Sequence, residues 1–574
     1  MQLSLSDIAE GAAFDVVVVG AGGAGMAAAL FAALDGQQVL LVERTDRVGG
    51  TTAYSAGSAW VPNTAHAAKV GAQDDPERAA AYLRAAIGNL SSEMMRRAFL
   101  AHGPKAIAEL ETRSDVRFRA RTLHPDYNSE LEGATLKGRV LEAMPFDGRS
   151  LGPDLALIRE PIPQFTVLGG MMVNQEDVGH LMRMHRSWSS LRHGTGIVLR
   201  HLGDRLGHRR GTRLMMGNAL VGRLLSSLRA NGVPIALEAT VTALDIQQGR
   251  LSGITIEQGG VLRRVVVNKG LIMASGGFNR HPTHRAELLR KPVAEYCPGA
   301  PGHTGQLHDL VLAAGARYGE GPADAAFWAP VSVRTRRDGS TAVFPHFLLD
   351  RGKPRTVTVN SRGRRFVNEA VSYHAFVEGM YDDRGGEPAI PAFLITDATG
   401  LMRYGLGMVR PGPWPRGPFL ADGYLVKGRT LAGLAEALGI NPAGLEETVA
   451  RMNAYAETGV DAEFNRGSTD YQRITAGDRT HGPNPCLGPI RNPPFYAVRL
   501  YPGDIGASTG FVTDADARVL DASGRPIAGL YACGNDMNSV MGGKYPGPGI
   551  TIGPGLAFAY AAAKHAAGCG AKEG

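Results

Sequence analysis

Residues 16–43 read VVVVGAGGAGMAAALFAALDGQQVLLVE. The opening run of valines predicts a strand buried on both faces. Gly20, Gly22 and Gly25 follow as G-x-G-x-x-G. An alanine-rich stretch then predicts a helix that packs closely on a sheet, and Gln38–Val42 (QVLLV) predicts a second strand ending at Glu43. Glu43 lies 18 residues after Gly25. Strand, glycine turn, helix, strand and carboxylate form a dinucleotide-binding fingerprint. The helix N-terminus receives the pyrophosphate and the carboxylate accepts the adenosine ribose hydroxyls. Val16–Leu34 carries no charge over a membrane-spanning length, but its glycine-interrupted pattern reads as a strand and a helix.

The next residues select the dinucleotide. Arg44 begins RTDRVGGTTAYSAG, which offers the amides and hydroxyls of Gly49, Gly50, Thr51 and Thr52 to phosphate and flavin edges. A glutamate separated by five residues from Gly-Gly-Thr resembles FAD-binding proteins rather than NAD dehydrogenases. Lys269–Phe278 (KGLIMASGGF) predicts a buried strand ending at Ser275-Gly276-Gly277. Gly529–Asn535 (GLYACGN) predicts another, ending beside a ribityl chain. Ile550–Ala567 predicts a helix whose N-terminus faces the flavin pyrimidine and stabilises its anionic reduced form. The expected fold class is α/β: a discontinuous Rossmann-type FAD-binding domain with an inserted α+β catalytic cap domain. The expected boundaries are 1–326 and 501–574 for the first and 327–500 for the second. An amphipathic helix is expected within the cap at Thr430–Ala456.

Composition is that of a soluble globular protein, 44% hydrophobic and 20% charged, which excludes a disordered chain. Glycine is 76 of 574 residues, about 13% against a typical ~7%, without a G-X-Y period. Tight turns and close backbone approaches to a ligand account for it. Cys297, Cys486, Cys533 and Cys569 form no C-x-x-C, which argues against zinc, a disulfide framework or c-type haem. Cys533 sits in an apolar strand and reads as inert core. The sixteen histidines suggest no metal site. The N-terminus has no basic, apolar leader pattern, so a cytoplasmic protein is expected.

Four segments carry a family resemblance: GGTTAYSAG (Gly49–Gly57), GRRFVNE (Gly363–Glu369), PFYAVRLYPGDIG (Pro494–Gly506) and GNDMNSVMGGKYPGPGITIGP (Gly534–Pro554). The chain resembles the flavoproteins that include 3-ketosteroid Δ1-dehydrogenases and soluble fumarate reductases. Fumarate-reducing relatives place an arginine where NEAVSY ends in Tyr373, and they carry a dicarboxylate clamp. Here Pro502–Gly510 and Tyr545–Gly549 supply no clamp, and YPGPG is similar to the Δ1-dehydrogenase branch.

That resemblance implies the chemistry. The Tyr545 hydroxyl and the Gly549 amide would bind a steroid 3-keto oxygen as a two-donor oxyanion hole. Tyr373 would take the C2 proton as a tyrosinate, which requires its reference pKa near 10 to fall. Tyr127 would share the charge by a hydrogen bond, and the flavin would accept the C1 hydride. Asn368 and Glu369 read as positioning the backbone. The resemblance assigns non-covalent FAD to Gly20, Gly22, Gly23, Ala24, Gly25, Glu43, Arg44, Gly50, Thr51, Thr52, Ser55, Ala56, Gly57, Val241, Ser275, Gly276, Gly534, Asn535, Gly549, Ile550 and Ile552. Gln306 stands where the family has an acidic residue. The alternatives are a Δ4-(5α)-dehydrogenase or other carbonyl-conjugated flavoenzyme, a respiratory flavoprotein subunit, and a flavin carrier without turnover. The electron acceptor stays open, a quinone among the candidates.

The net charge is 61 − 54 = +7. Leu181–Arg213 holds eight arginines (183, 186, 192, 200, 205, 209, 210, 213) and Asp204, so 8 − 1 = +7 and the remaining residues sum to zero. Leu181, Met184, Trp188 and Leu191 recur at helical spacing there, followed by Val198, Leu202 and Leu206. A basic amphipathic element suits an anionic membrane surface, with a subunit contact or a solvated helix pair as the plain alternatives. Nucleic acid is not expected, because aromatic interleaving stops at Trp188.

Overall fold

A computed structural model describes residues 2–320, 323–347, 350–383 and 386–568. Cys569 lies outside them. The valine run forms the strand Ala12–Val19, flanked in parallel by Val39–Val42 and Val261–Met273. Ile235–Ala236 extends one edge, and Pro526–Ala532 pairs in parallel with the far side of Val261–Met273. The antiparallel strands Ala239–Gln247, Arg250–Gln258 and Arg518–Leu520 complete an eight-stranded sheet.

The parallel strands end together, and their carboxyl ends open onto one crevice, where ligands bind in such sheets. The helix Gly23–Leu34 starts in this crevice. A β-carbon on Gly25 would lie 1.8 Å from the Gly20 carbonyl oxygen, so only glycine lets the helix seat so close to the turn. Its alanine face packs on the C-terminal helix Ile552–Gly568, where Phe31 meets Tyr560 edge-on with ring centres 5.3 Å apart.

A second, six-stranded antiparallel sheet lies between positions 326 and 507. Its long strand Phe495–Ala507 pairs with Ala326–Thr335, Ala392–Thr396 and Val426–Gly428. The expected helix at 430–456 is two helices, Leu431–Leu438 and Pro442–Thr458. Gly439 stops the first in the left-handed conformation. Asn441 then caps the second by accepting from the Gly444 amide at 2.8 Å, with Pro442 at its first position. The basic element is likewise split, into Gln175–Met182 and Trp188–Gly207, because Ser187 caps a new helix start. No helix among the described residues is long and apolar enough to cross a membrane.

A buried ion network joins the quoted segment Gly363–Glu369 to the acidic segment that starts at Asp461. Arg365 donates to Glu369 and Asp461, each at 2.8 Å, and Arg466 sits 3.1 Å from Glu369. All four side chains are fully buried. Glu369 also accepts the Thr358 amide at 3.1 Å, so it fixes the turn that leads to Tyr373. Breaking such a cluster on one side leaves an uncompensated charge. Arg365→Met is therefore expected to lower unfolding stability by about 3–5 kcal/mol, read from the denaturant midpoint. An unchanged midpoint would contradict a structural role for the network.

Burial also makes stability pH-dependent. Desolvation lowers His124, His303 and His374 to about 4. Between that value and the ordinary ~6.5, the unfolded chain binds these protons and the folded chain does not. Stability then rises with pH. It is fully present above about 6.5 and falls toward pH 4, by up to ~1.4 kcal/mol per pH unit for each histidine. Denaturant unfolding at pH 7, 6 and 5 should show this decline, and a flat profile would sink the assignment of neutral buried imidazoles.

Candidate active site

The crevice at the strand ends continues into the space beneath the second sheet, forming one cleft of about 320 Å³. Gly20, Gly22, Gly23 and Ala24 line its nucleotide end, with Glu43, Arg44 and Val241 nearby. Glu43 accepts the Ala21 amide at 2.8 Å through one oxygen, and the Thr45 amide and hydroxyl through the other. Its carboxylate is thereby held rigidly at the end of Val39–Val42. Thr52 accepts the Gly23 amide at 3.1 Å, and Thr51 accepts that of Ala300 at 2.9 Å, so both hydroxyls brace the cradle. Gly50, Ser55, Ala56, Gly57, Ser275, Gly276, Gly534, Asn535, Gly549 and Ile552 line the cleft farther along.

Two expected cofactor residues do not face this space. Gly25 is packed against Gly20, as described above. Ile550 is 1% exposed and turns into a small adjoining cavity with Phe327 and Phe558. Three contributors were missed by sequence reasoning. Arg159 lines the cleft with its Nε buried and unpaired. His303 does so with Nδ1 unpaired, while its Nε2 lies 3.3 Å from the Thr51 hydroxyl. Asp536 stands behind Ser275. A buried cation, an orphaned imidazole nitrogen, glycine amides and a helix N-terminus fit the pyrophosphate of FAD. No spacing rule flags Arg159 or His303, because each reaches the cleft from a loop distant in sequence.

At the other end, Tyr127, Tyr373, Tyr545 and Gly549 converge on one wall. The Tyr373 ring lies 5.0 Å from that of Tyr545 and 5.7 Å from that of Tyr127. Ser372 caps the helix Tyr373–Tyr381 and so sets where Tyr373 projects. Tyr127 is placed by its amide, which donates to the Pro546 carbonyl at 2.9 Å, just beyond Tyr545. Gly549 has φ +94°, and a β-carbon there would lie 2.2 Å from the Ser58 carbonyl oxygen. No side chain fits at 549, which keeps the backbone open to the cleft.

A fourth tyrosine, Tyr471, packs behind Tyr127 with ring centres 4.7 Å apart, the rings tilted by 46°, and its hydroxyl unpaired. It ends the acidic segment DAEFNRGSTDY, whose last residue was the available signal. Burial first, and then the Tyr127 and Tyr545 hydroxyls, push the Tyr373 phenol well above its ordinary value. Tyr545 is pushed up to about 12 by burial, against lowering contacts with Tyr373 and Thr551. The lowered value that a tyrosinate base requires is thus absent from the protein matrix by itself. Burial likewise raises Cys533, in keeping with inert core.

Comparison with known proteins agrees with this geometry. The FAD binding domain family matches residues 15–552. A 4-oxocyclohex-2-ene-1-carboxylate 5-dehydrogenase of Sinomonas cyclohexanicum is 37% identical over 97% of this chain and 94% of its own. A 3-oxosteroid 1-dehydrogenase of Mycolicibacterium smegmatis is 35% identical over 96% of this chain and 97% of its own. The crystal structure of 3-ketosteroid Δ1-dehydrogenase from Sterolibacterium denitrificans, in complex with 1,4-androstadiene-3,17-dione, superposes with a TM-score of 0.90 at 34% identity. It covers 97% of this chain and all of that one. The chain therefore belongs to the FAD-binding oxidoreductases, in the family that includes the 3-oxosteroid 1-dehydrogenases.

Proposed function

We propose that the protein is an FAD-dependent 3-ketosteroid Δ1-dehydrogenase. The observation that carries this reading is the tyrosine wall with Gly549 at one end of a cleft whose other end is the dinucleotide cradle. When bound, FAD supplies the acceptor for the C1 hydride. The chain's own residues do the rest. The Tyr545 hydroxyl and the Gly549 amide donate to the 3-keto oxygen and acidify C2–H by stabilising the enolate. The Tyr373 oxygen takes the C2 proton, with Tyr127 beside it to share charge. The buried walls exclude water and hold the ring in a fixed pose.

In this reading residues 1–326 and 501–574 bind FAD, and 327–500 cover the substrate. Arg121 favours a second substrate class. It lines the cleft near His124 and Tyr127, 3.2 Å from Glu142, and would suit a small cyclic oxo acid such as the one named for the Sinomonas relative. Anaerobic flavin bleaching separates the two when 3-ketosteroids are compared with 4-oxocyclohexene carboxylates. Steroid bleaching with a 1,2-dehydrogenated product is expected. Tyr373→Phe should lower that rate by at least ~10² with FAD retained. Full activity of Tyr373→Phe, or no bleaching by any 3-ketosteroid, would overturn the reading.

We further propose that the helix Trp188–Gly207 rests on a membrane surface. Trp188, Leu191, Leu199, Leu202 and Leu206 recur along one helical stripe, and all are exposed, Leu206 at 92%. Arg183, Arg186, Arg192, Arg205 and Arg209 are exposed around it, while Arg200 pairs with Asp147, Arg213 with Asp177, and Arg210 turns inward to Asn218. Apolar stripe and basic flanks suit an anionic membrane surface, in which sterols dissolve. The protein should co-sediment with anionic liposomes at low salt, and serines at Leu199, Leu202 and Leu206 should reduce this at least ~10-fold. Wild-type protein that stays in the supernatant would refute the contact.

A further inference from the structure

Arg351 is among the largest fully buried side chains of the protein. Its guanidinium donates to three backbone carbonyls: His346 at 3.2 Å, Phe347 at 2.9 Å and Glu369 at 2.7 Å. Two of these acceptors hold Tyr373 in place. The Phe347 ring packs on the Tyr373 ring with centres 5.0 Å apart, and Glu369 starts the turn that leads into the Tyr373 helix. A buried guanidinium satisfied by neutral carbonyls keeps its full charge, and burying that charge is unfavourable unless something nearby uses it.

We propose that Arg351 is the positioning residue of the tyrosine wall: it clamps the two segments that hold Tyr373, and its charge stabilises the tyrosinate through Tyr471 and Tyr127. The proposal rests on the Δ1-dehydrogenase reading. In that reaction Tyr373 begins as a phenolate, the C2–H bond breaks, the proton bonds to the Tyr373 oxygen, and the hydride leaves C1 for the flavin as C1=C2 forms. The negative charge must be held in a buried place before the proton arrives, and Arg121, the cation that lines the cleft beside Tyr127, is already paired with Glu142.

The surrounding charges agree. Tyr471 is raised by burial and lowered by Arg351, and burial lowers Arg351 while Tyr471 and Tyr127 favour its charged form. Asp350, the neighbouring carboxylate in the chain, is occupied by His346 at 2.7 Å and by the Gly407 amide at 2.8 Å. Glu369 is neutralised by Arg365 and Arg466. Arg121 also favours the Tyr127 phenolate. On the Tyr545 side, His374 packs 5.9 Å away and is held neutral by burial at neutral pH.

The test is the pH dependence of kcat/KM between pH 6 and 10 on FAD-loaded enzyme with a 3-keto-4-ene steroid. Arg351→Met should move the acid limb alkaline by about one unit or more, with about tenfold further loss at pH 7 that recovers at high pH only to the lower plateau left by the lost clamp. Arg351→Lys, which keeps the charge but not the fork, should restore the wild-type limb at a lower plateau. Tyr471→Phe should shift the limb in the same direction, by less. A purely structural clamp would reduce the rate equally at every pH, and that result, or an unmoved limb in flavin-loaded Arg351→Met, overturns the proposal. If Arg351→Met loses FAD or fails to fold, Tyr471→Phe decides, and an unmoved limb there overturns it. Failure of the Δ1 reading itself shows separately, as wild-type enzyme that no 3-ketosteroid bleaches.

Discussion

One buried carboxylate holds the two ends of the nucleotide crevice together. Asp536 accepts from the Ser275 amide at 2.5 Å, the Ser275 hydroxyl at 3.0 Å, the Gly277 amide at 2.7 Å and His308 Nε2 at 3.0 Å. Burial opposes its ionised form, but His308 and these donors outweigh burial and hold the carboxyl below the usual range. Ser275 and Gly277 follow the strand Val261–Met273, Asp536 follows Pro526–Ala532, and His308 lies on the helix Gln306–Ala313. Three segments far apart in sequence thus meet at one charge. Without it, two amides beyond the tip of the strand Val261–Met273 would be unpaired where the cradle must be rigid.

A second carboxylate performs the matching task between the sheets. Asp504 lies on the long strand Phe495–Ala507 and accepts from Arg285 at 2.5 Å and Asn279 at 2.8 Å, both from the chain that follows the nucleotide sheet. The strand that carries Asp504 also pairs with Ala326–Thr335 and so anchors the wall over the cleft. The relative position of cradle and tyrosine wall is therefore set by charge-assisted hydrogen bonds between short, rigid segments. Such bonds fix direction as well as distance, which the geometry of hydride transfer requires.

The parallel sheet was legible in the sequence because its signals are local. Val16–Val19, the glycine turn and Val39–Val42 are contiguous, and each residue type there has one reason to be present. Lys269–Phe278 and Gly529–Asn535 could be read as strands for the same reason. Tyr127, Tyr373, Tyr545 and Gly549 were legible only through resemblance, since isolated tyrosines carry no period. Arg159, His303, Asp536 and Arg351 were not legible. Their roles come from where loops close in space, and their buried, unpaired or multiply bonded states have no one-dimensional trace. The helix break at Gly439–Asn441 is a different failure: both halves share one apolar period, and the Gly and Asn-Pro signals within it were outweighed by that period.

The tyrosine wall shows why its support must be distant. A base that removes a proton from carbon needs a dry cleft, so that the enolate's two donors act in low dielectric. The same dryness pushes the Tyr373 phenol upward, against the reaction. Placing an arginine directly on Tyr373 would favour the phenolate but would also block C2 and over-stabilise the ground state, which slows proton transfer. A cation set one ring behind, reached through Tyr127 and Tyr471, lowers the cost of the charge without touching the substrate. Packed phenol rings suit this arrangement because they are apolar enough to bind a sterol ring and keep water out of the space between cation and phenolate. On the proposed reading, the cleft stays apolar toward the steroid while the charge behind its wall favours the phenolate.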